Sequence, residues 1–192
     1  MTIQRCSWVS DDPLYIAYHD HEWGVPQKDP QVLFEMLCLE GQQAGLSWIT
    51  VLRKREAYRR LFHQFSPALI AKMTLPDIEP RLSDPSIIRH RGKINAIISN
   101  AQALLVMESS GESFSDFLWG FVENQPVVNH YGNAHDVPVT SPVAMKMSAA
   151  LKKRGFKFIG PTICYAFMQA TGMVNDHQTH CFCHPDNASD TL

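Results

Sequence analysis

Charge is scarce in this 192-residue chain, at 19% of positions, and it nearly cancels to a net −2. A protein that grips nucleic acid by bulk electrostatics carries a positive excess, so that mode is excluded. Any nucleic-acid contact has to come from local basic runs and backbone amides. Long apolar runs are missing too, since none approaches the ~20 residues of a membrane span, and the N-terminus lacks a basic-then-apolar signal segment. A cytosolic (cytoplasmic) protein with no membrane partner is the expectation. Period-two alternation is absent, as are internal repeats and low-complexity tracts, so the expected fold class is all-α. Cysteine occurs only five times, an odd count. In a reducing compartment such cysteines serve as metal ligands, core residues or catalytic groups more often than as disulfides.

What is present is an apolar share of 45%, that of a globular protein, and a length suited to one domain over 1–192 with a sizeable core. The chain is best read outward from Leu33–Leu52. The first half of this stretch is apolar almost all the way round a helix, as in a buried helix. Glu40 nevertheless falls on the same face as Leu33, Met36 and Leu37. Glutamines, glycines and Trp48 follow it directly. A carboxylate in an apolar wall beside a polar turn suits a pocket for something cationic or protonated.

Along the chain, residues 1–29 read as irregular and hold Trp8, Tyr15, Tyr18 and Trp23 among prolines and glycines. Large rings in such a segment must pack on the body or line a pocket. Pro30 opens a helix to about Gly41, and Ser47 is a suitable N-cap for a second through Phe62. Short helices with Pro in the first turn follow at Pro67–Met73 and Pro76–Leu82. A strong helix starts at Gly92 and a shorter one covers Ser113–Val122. Asn124–Ser141 has little periodicity and reads as a long loop. Two basic runs, Arg89–Lys93 and Lys152–Lys157, read first as solvated faces. Cys38 and Cys164 sit in apolar helical runs and read as core.

Ser141-Pro142 starts a helix that ends in Lys152, Lys153 and Arg154, cations suited to a C-terminal dipole. Gly155 is its expected C-cap, and Gly160 precedes Pro161, which opens the next helix. Gly155-Phe-Lys157-Phe-Ile-Gly160 is then a tight hairpin. Its glycines allow close backbone approach, free N–H groups at the start of the second helix suit an anion, and Lys157 adds a cation. Such a hairpin grips phosphate without reading bases.

Cys6 and His19 near one end, and His177 and Cys181 near the other, would make a Cys₂His₂ set of the structural zinc type. His21, His180, Cys183 and His184 compete for the same role. On spacing alone the ligand set stays open.

The segments Cys6-x-Trp8, Asp12–Asp20, Glu22–Pro26, Glu40–Trp48, Ile88–Lys93, Lys152–Gly160 and Val174–His177 together closely resemble the 3-methyladenine DNA glycosylase I family. Glu40–Trp48 is the most specific of them, and the hairpin looks like the helix-hairpin-helix element of the DNA glycosylase superfamily. The resemblance implies a helix-hairpin-helix fold with a helical core over about 30–172. It also implies that segments 1–29 and 173–192 are joined by one structural Zn²⁺ on Cys6, His19, His177 and Cys181. It implies a base pocket of Glu40, Tyr18 and Trp48 with Trp8, Tyr15 and Trp23 near it, and Glu40 as the catalytic residue. It further implies double-stranded DNA containing alkylated adenine as the partner, free 3-methyladenine as the product, and a monomer. Adenine methylated at N3 is cationic, so a carboxylate and aromatic faces favour it over adenine, and the charge weakens its bond to the sugar.

Superfamily members that also cut the strand carry a lysine just after the hairpin. Here Gly160-Pro161-Thr162 stands in that place, which implies hydrolysis by water with no lyase step. Gly155, Lys157, Gly160 and Thr162 are the expected DNA contacts. Leu46, at the tip of the turn before Trp48, is either a wedge into the gap left by a flipped base or a core leucine. Asp176 reads as a residue that orients His177 or caps a turn, with a catalytic carboxylate as its rival role. The competing functions are a glycosylase for a different damaged base and a zinc-stapled DNA-binding module without catalysis.

Overall fold

The computed structural model describes residues 3–190, so the two outermost residues at each end of the expected 1–192 domain lie outside it. Helices dominate: α1 Pro13–His21, α2 Pro30–Gln43, α3 Trp48–Leu52, α4 Arg55–Leu61, α5 Pro67–Ile70, α6 Leu75–Ser83, α7 Arg91–Ser109, α8 Phe114–Trp119, α9 Pro142–Lys153 and α10 Pro161–Ala170.

The axis of the molecule is α2. Pro30 stands at its first turn, and the Asp29 carboxylate caps it by accepting from the backbone N–H groups of Gln31 and Val32, as a helix N-terminus requires. Leu33 through Gln42 are all buried, so the helix is covered on every side and its apolar run is explained. It packs on α3, α7, α8 and α10. Around it lie the fully buried rings of Phe34, Tyr58, Phe62, Phe65, Phe114, Trp119, Phe156 and Phe167. Phe114 stacks on Phe156 at 5.9 Å, which ties α8 to the segment after α9.

The structure corrects three sequence expectations. The segment 1–29 is not wholly irregular, because Asp12 caps α1 through Leu14 N–H, and Tyr15, Tyr18 and His19 then fall at helical spacing. The helix expected from Ser47 to Phe62 is two helices, α3 and α4, with a turn at Arg53–Lys54. No Gly or Pro marks that break. Tertiary partners set it, with Lys54 Nζ donating to Pro85 O at 2.7 Å and Arg55 gripping the Glu22 carboxylate at 2.6 and 3.0 Å, and such contacts override propensity. Ser47 makes no cap bond to the backbone; its hydroxyl meets Thr50 Oγ1 at 2.8 Å. Third, two short parallel strands exist, β1 Val127–Val128 and β2 Val174–Asn175. They are too short to produce a periodic signal.

The sheet is part of a seam that fastens both ends of the chain to the body. Gly24 N donates to Gln169 O at 2.9 Å and Gln27 N to Thr171 O at 3.0 Å, while Phe182 N donates to Gln4 O at 2.9 Å. Gly172 lies at φ +67 with the backbone of Val25 and Pro26 against it. A Cβ there would stand 2.4 Å from Pro26 N. Gly172→Ala combines left-handed strain with a clash against backbone, and a loss of ~3 kcal/mol in urea denaturation is expected.

Candidate active site and metal cluster

Glu40 is carried into the core by the last turn of α2, and the residue is 2% exposed. Its Oε2 has no hydrogen-bond partner among the described residues. Burial alone, with no cation to offset it, pushes the carboxyl up to about 8 from 4.5, the direction expected when desolvation disfavours the charged form. Glu40 opens onto a cavity of about 360 Å³. Tyr18, Trp48, Trp8, Tyr15 and Trp23 line the same cavity, so all the residues expected at a base pocket do converge. Tyr18 lies against Trp48 at 5.4 Å, and Trp8 meets Tyr15 and Trp23 at 5.0 Å each. Burial first, and the nearby Glu40 second, hold the Tyr18 phenol well above its ordinary pKa. Trp48 Nε1 is a second buried polar atom without a partner among the described residues. One carboxylate and one N–H are thus left unpaired in an aromatic enclosure, an arrangement costly to the free protein and suited to a flat ring with polar edges.

Sequence reasoning missed the opposite wall. Thr162, Tyr165 and Gln169 of α10 line it, together with Asp176 and Gln178. Their spacing of three, four and seven places Thr162, Tyr165 and Gln169 on one helical face. A polar stripe on an otherwise apolar helix was the signal that could have found them. Thr162, expected as a DNA contact, stands between hairpin and pocket. Asp176 neither orients His177 nor caps a turn. Its carboxylate accepts from Asn129 Nδ2 at 2.7 Å, Tyr165 Oη at 2.7 Å and Gln169 Nε2 at 2.8 Å, which joins the Asn124–Ser141 loop to α10. Through Val137, Pro138 and Val139 that loop also walls the cavity.

The hairpin forms as expected. Gly155 is left-handed at φ +92, and Gly155 N donates to Lys152 O at 3.0 Å while Phe156 N donates to Leu151 O at 3.1 Å, a double C-terminal cap. Lys157 is exposed, but its backbone is held by Asn100, which accepts from Lys157 N at 2.7 Å and donates to its carbonyl at 3.2 Å. Gly160 N-caps α10 in an extended conformation. Leu46 is 41% exposed, which removes the core-leucine alternative. Of the two basic runs, the first is largely absorbed, with Arg91 pairing with Glu79 at 2.7 Å and Lys93 buried. In the second, Arg154 pairs with Glu112.

At the junction of the two termini, ligand atoms of Cys6, His19, His177 and Cys181 all lie within 4.8 Å of one another, and all four residues are buried. His19 Nε2 and His177 Nδ1 face the sulfurs, with Cys181 Sγ 3.5 Å from the first and Cys6 Sγ 3.5 Å from the second. The other nitrogen of each ring is engaged: His19 Nδ1 with Asp20 at 2.7 Å and His177 Nε2 with the Trp23 carbonyl at 3.0 Å. Arg5 in turn holds Asp20. An acceptor behind each imidazole leaves the nitrogen facing the sulfurs as a lone pair, the orientation a metal ligand needs. Two of the competing residues fall in neighbouring groups. Cys183 belongs to a group with Asp20 that shares only His19, and His184 to one with His130 and Asp186.

Fold and site define a class: a helical protein with an aromatic cavity around a buried carboxylate, beside a glycine hairpin. The sequence model of methyladenine glycosylases matches residues 8–184, and the chain belongs to that family. It is 60% identical to DNA-3-methyladenine glycosylase 1 of Escherichia coli (strain K12), over 96% of this chain and 99% of that one. A crystal structure of 3-methyladenine DNA glycosylase I superposes with a TM-score of 0.94 at 64% identity, covering 95% of this chain and all 100% of the other. The enzyme from Staphylococcus aureus, solved for its recognition of 3-methyladenine, gives 0.92 at 40% identity over 96% and 98%.

A raised acid pKa has a stability consequence of definite sign. The unfolded chain ionises Glu40 near 4.5 and the folded one near 8, so stability is greatest below the lower value and is lost as pH rises through the window. Glu40→Gln removes that loss. The variant is expected to be more stable than the parent by on the order of 3 kcal/mol near neutrality, with the gap closing toward pH 4. Thermal melts across pH 4–9 check it, and a pH-independent difference would contradict the assignment.

Proposed function

We infer that this protein is a DNA-3-methyladenine glycosylase, which hydrolyses the N-glycosidic bond of 3-methyladenine in alkylated DNA. The observation that carries the reading is Glu40, an unpartnered carboxylate buried among aromatic rings. Adenine methylated at N3 is a cation with a polar edge. Entering the pocket, it meets a carboxyl whose burial is otherwise uncompensated, and the pairing favours the ionised form of Glu40. Ordinary adenine brings no charge and gains none of this. Aromatic faces at Tyr18 and Trp48, with Trp8, Tyr15 and Trp23 around them, add cation–π attraction.

To reach the pocket the nucleotide must leave the stack. In this reading Leu46 fills the gap, and the hairpin at Gly155, Lys157 and Gly160 holds the phosphates of double-stranded DNA. The positive base is already a good leaving group. The glycosidic electron pair stays on the departing base as neutral 3-methyladenine, and water bonds to the sugar carbon and releases a proton. Glu40 acts by binding and orienting the base. No lysine stands at Gly160-Pro161-Thr162 to form a Schiff base, so the strand is left uncut. No helix of the described residues is long and apolar enough to cross a membrane.

We further propose that Cys6, His19, His177 and Cys181 hold one Zn²⁺. Four protein ligands leave no open position, so the metal is structural, a clamp between the N- and C-terminal segments that carry Trp8, Trp23 and Asp176.

Incubated with methylated duplex DNA, the protein is expected to release free 3-methyladenine as its main product, identified by chromatography. Predominant 7-methylguanine, or no free base at all, would overturn the reading. Glu40→Gln is expected to weaken the affinity for free 3-methyladenine ~10- to 100-fold, measured by tryptophan quenching. For the metal, elemental analysis of protein purified without chelator should find about one zinc per chain, and Cys6→Ser should lower both zinc content and melting temperature. Zinc retained at full stoichiometry by Cys6→Ser would exclude this ligand set.

A further inference from the structure

The buried ammonium of Lys93 has no part in the pocket or the metal cluster. Lys93 is 6% exposed, and its Nζ donates to Gln42 O at 2.8 Å and Ala44 O at 2.6 Å. The last carbonyls of a helix have no partner within it, and a cation there also complements the dipole. The link is reciprocal: Gln42 Nε2 donates to Lys93 O at 3.1 Å, and Tyr58 Oη donates to Gln42 Oε1 at 3.0 Å. No carboxylate lies within salt-bridge distance of Lys93 among the described residues, and burial pulls its pKa below the ordinary value. An apolar side chain of similar length would fill the space without the desolvation cost. What it would lack is two directed donors at the end of α2.

That end leads straight into the turn carrying Leu46, which has few holds of its own. Leu46 N donates to Gln43 O at 2.6 Å, and Gly45 is left-handed with no neighbour near its Cβ position. The same first turn of α7 touches the hairpin. Gly92 and His90 pack on Phe158, with the His90 and Phe158 rings 5.9 Å apart. A Cβ on Gly41 would lie 3.1 Å from Phe158 O, so α2 and the hairpin are also in direct contact. One short segment therefore touches both elements expected to meet DNA.

We propose that Lys93 is a positioning residue for base flipping: its two bonds to the end of α2 set the Leu46 turn in register with the phosphate-gripping hairpin. The proposal rests on the glycosylase reading and on Leu46 as the wedge.

The test is a double-mutant cycle of Lys93→Met and Leu46→Ala. Excision of 3-methyladenine from methylated duplex is expected to fall about ten- to a hundredfold in Lys93→Met, as for a displaced reacting group, while affinity for free 3-methyladenine stays at the parent level. Fluorescence of 2-aminopurine opposite a tetrahydrofuran site, which rises when an inserted side chain unstacks it, is expected to be lost in both single variants. The double variant should be no worse than the poorer single one, because both changes disable one device. Undiminished excision in Lys93→Met, a parallel loss of free-base affinity, or independent effects that multiply would each overturn the proposal. A parent protein that releases no base would overturn the glycosylase reading instead. Should Lys93→Met not fold, Lys93→Leu, which also removes both donors, carries the same cycle.

Discussion

The whole molecule is arranged around the cost of keeping one carboxylate out of water. Glu40 lies in a helix covered on every side, its Oε2 is unpaired, and its pKa is displaced to about 8. A fold optimised for stability would place leucine there. The penalty is tolerable because the rest of α2 is so deeply packed, with every residue from Leu33 to Gln42 buried. In the proposed function it also sets the selectivity: a cationic ring relieves the cost and a neutral one does not.

Several other features follow from that constraint. An uncompensated carboxylate holds its character only if water is kept away, so the pocket needs walls, and the chain brings them from distant places. Tyr15 and Tyr18 come from α1, Trp48 from α3, Tyr165 and Gln169 from α10, and Val137–Val139 from a loop. The loop has almost no secondary structure. It is held by β1, which pairs with β2, and by Asn129, which donates to Asp176. Asp176 is therefore best understood as a knot in the wall, accepting from three side chains on two different elements.

Much of this was legible in the residues. An apolar run interrupted by Glu40, aromatic residues crowded before Pro30, and a glycine at each end of a hairpin all carry their meaning locally, and the structure places them as that chemistry suggests. Resemblance to a known family supplied the four-residue Cys/His set, which spacing had left open, and the structure brings those four side chains together. What escaped was tertiary. The break between α3 and α4 has no Gly or Pro and depends on Pro85 O and Glu22, both far away in sequence. The partners of Asp176 are separated from it by seven, eleven and 47 residues. Lys93 read as part of a basic run, and only the fold reveals that its charge points inward.

The pairing of the two chain ends has a consequence for the order in which the protein becomes functional. Cys6 and His177 are 171 residues apart, and Ser7 N reaches the Gln178 side chain over the same interval. Trp8 adjoins one end of this span and Asp176 the other. The aromatic rings of the first segment gain these supports only once the segment around Asp176 has docked beside them. Closing so wide a loop is a late, entropically expensive event. The enclosure around Glu40 therefore depends on that closure, because its walls come from both sides of the loop.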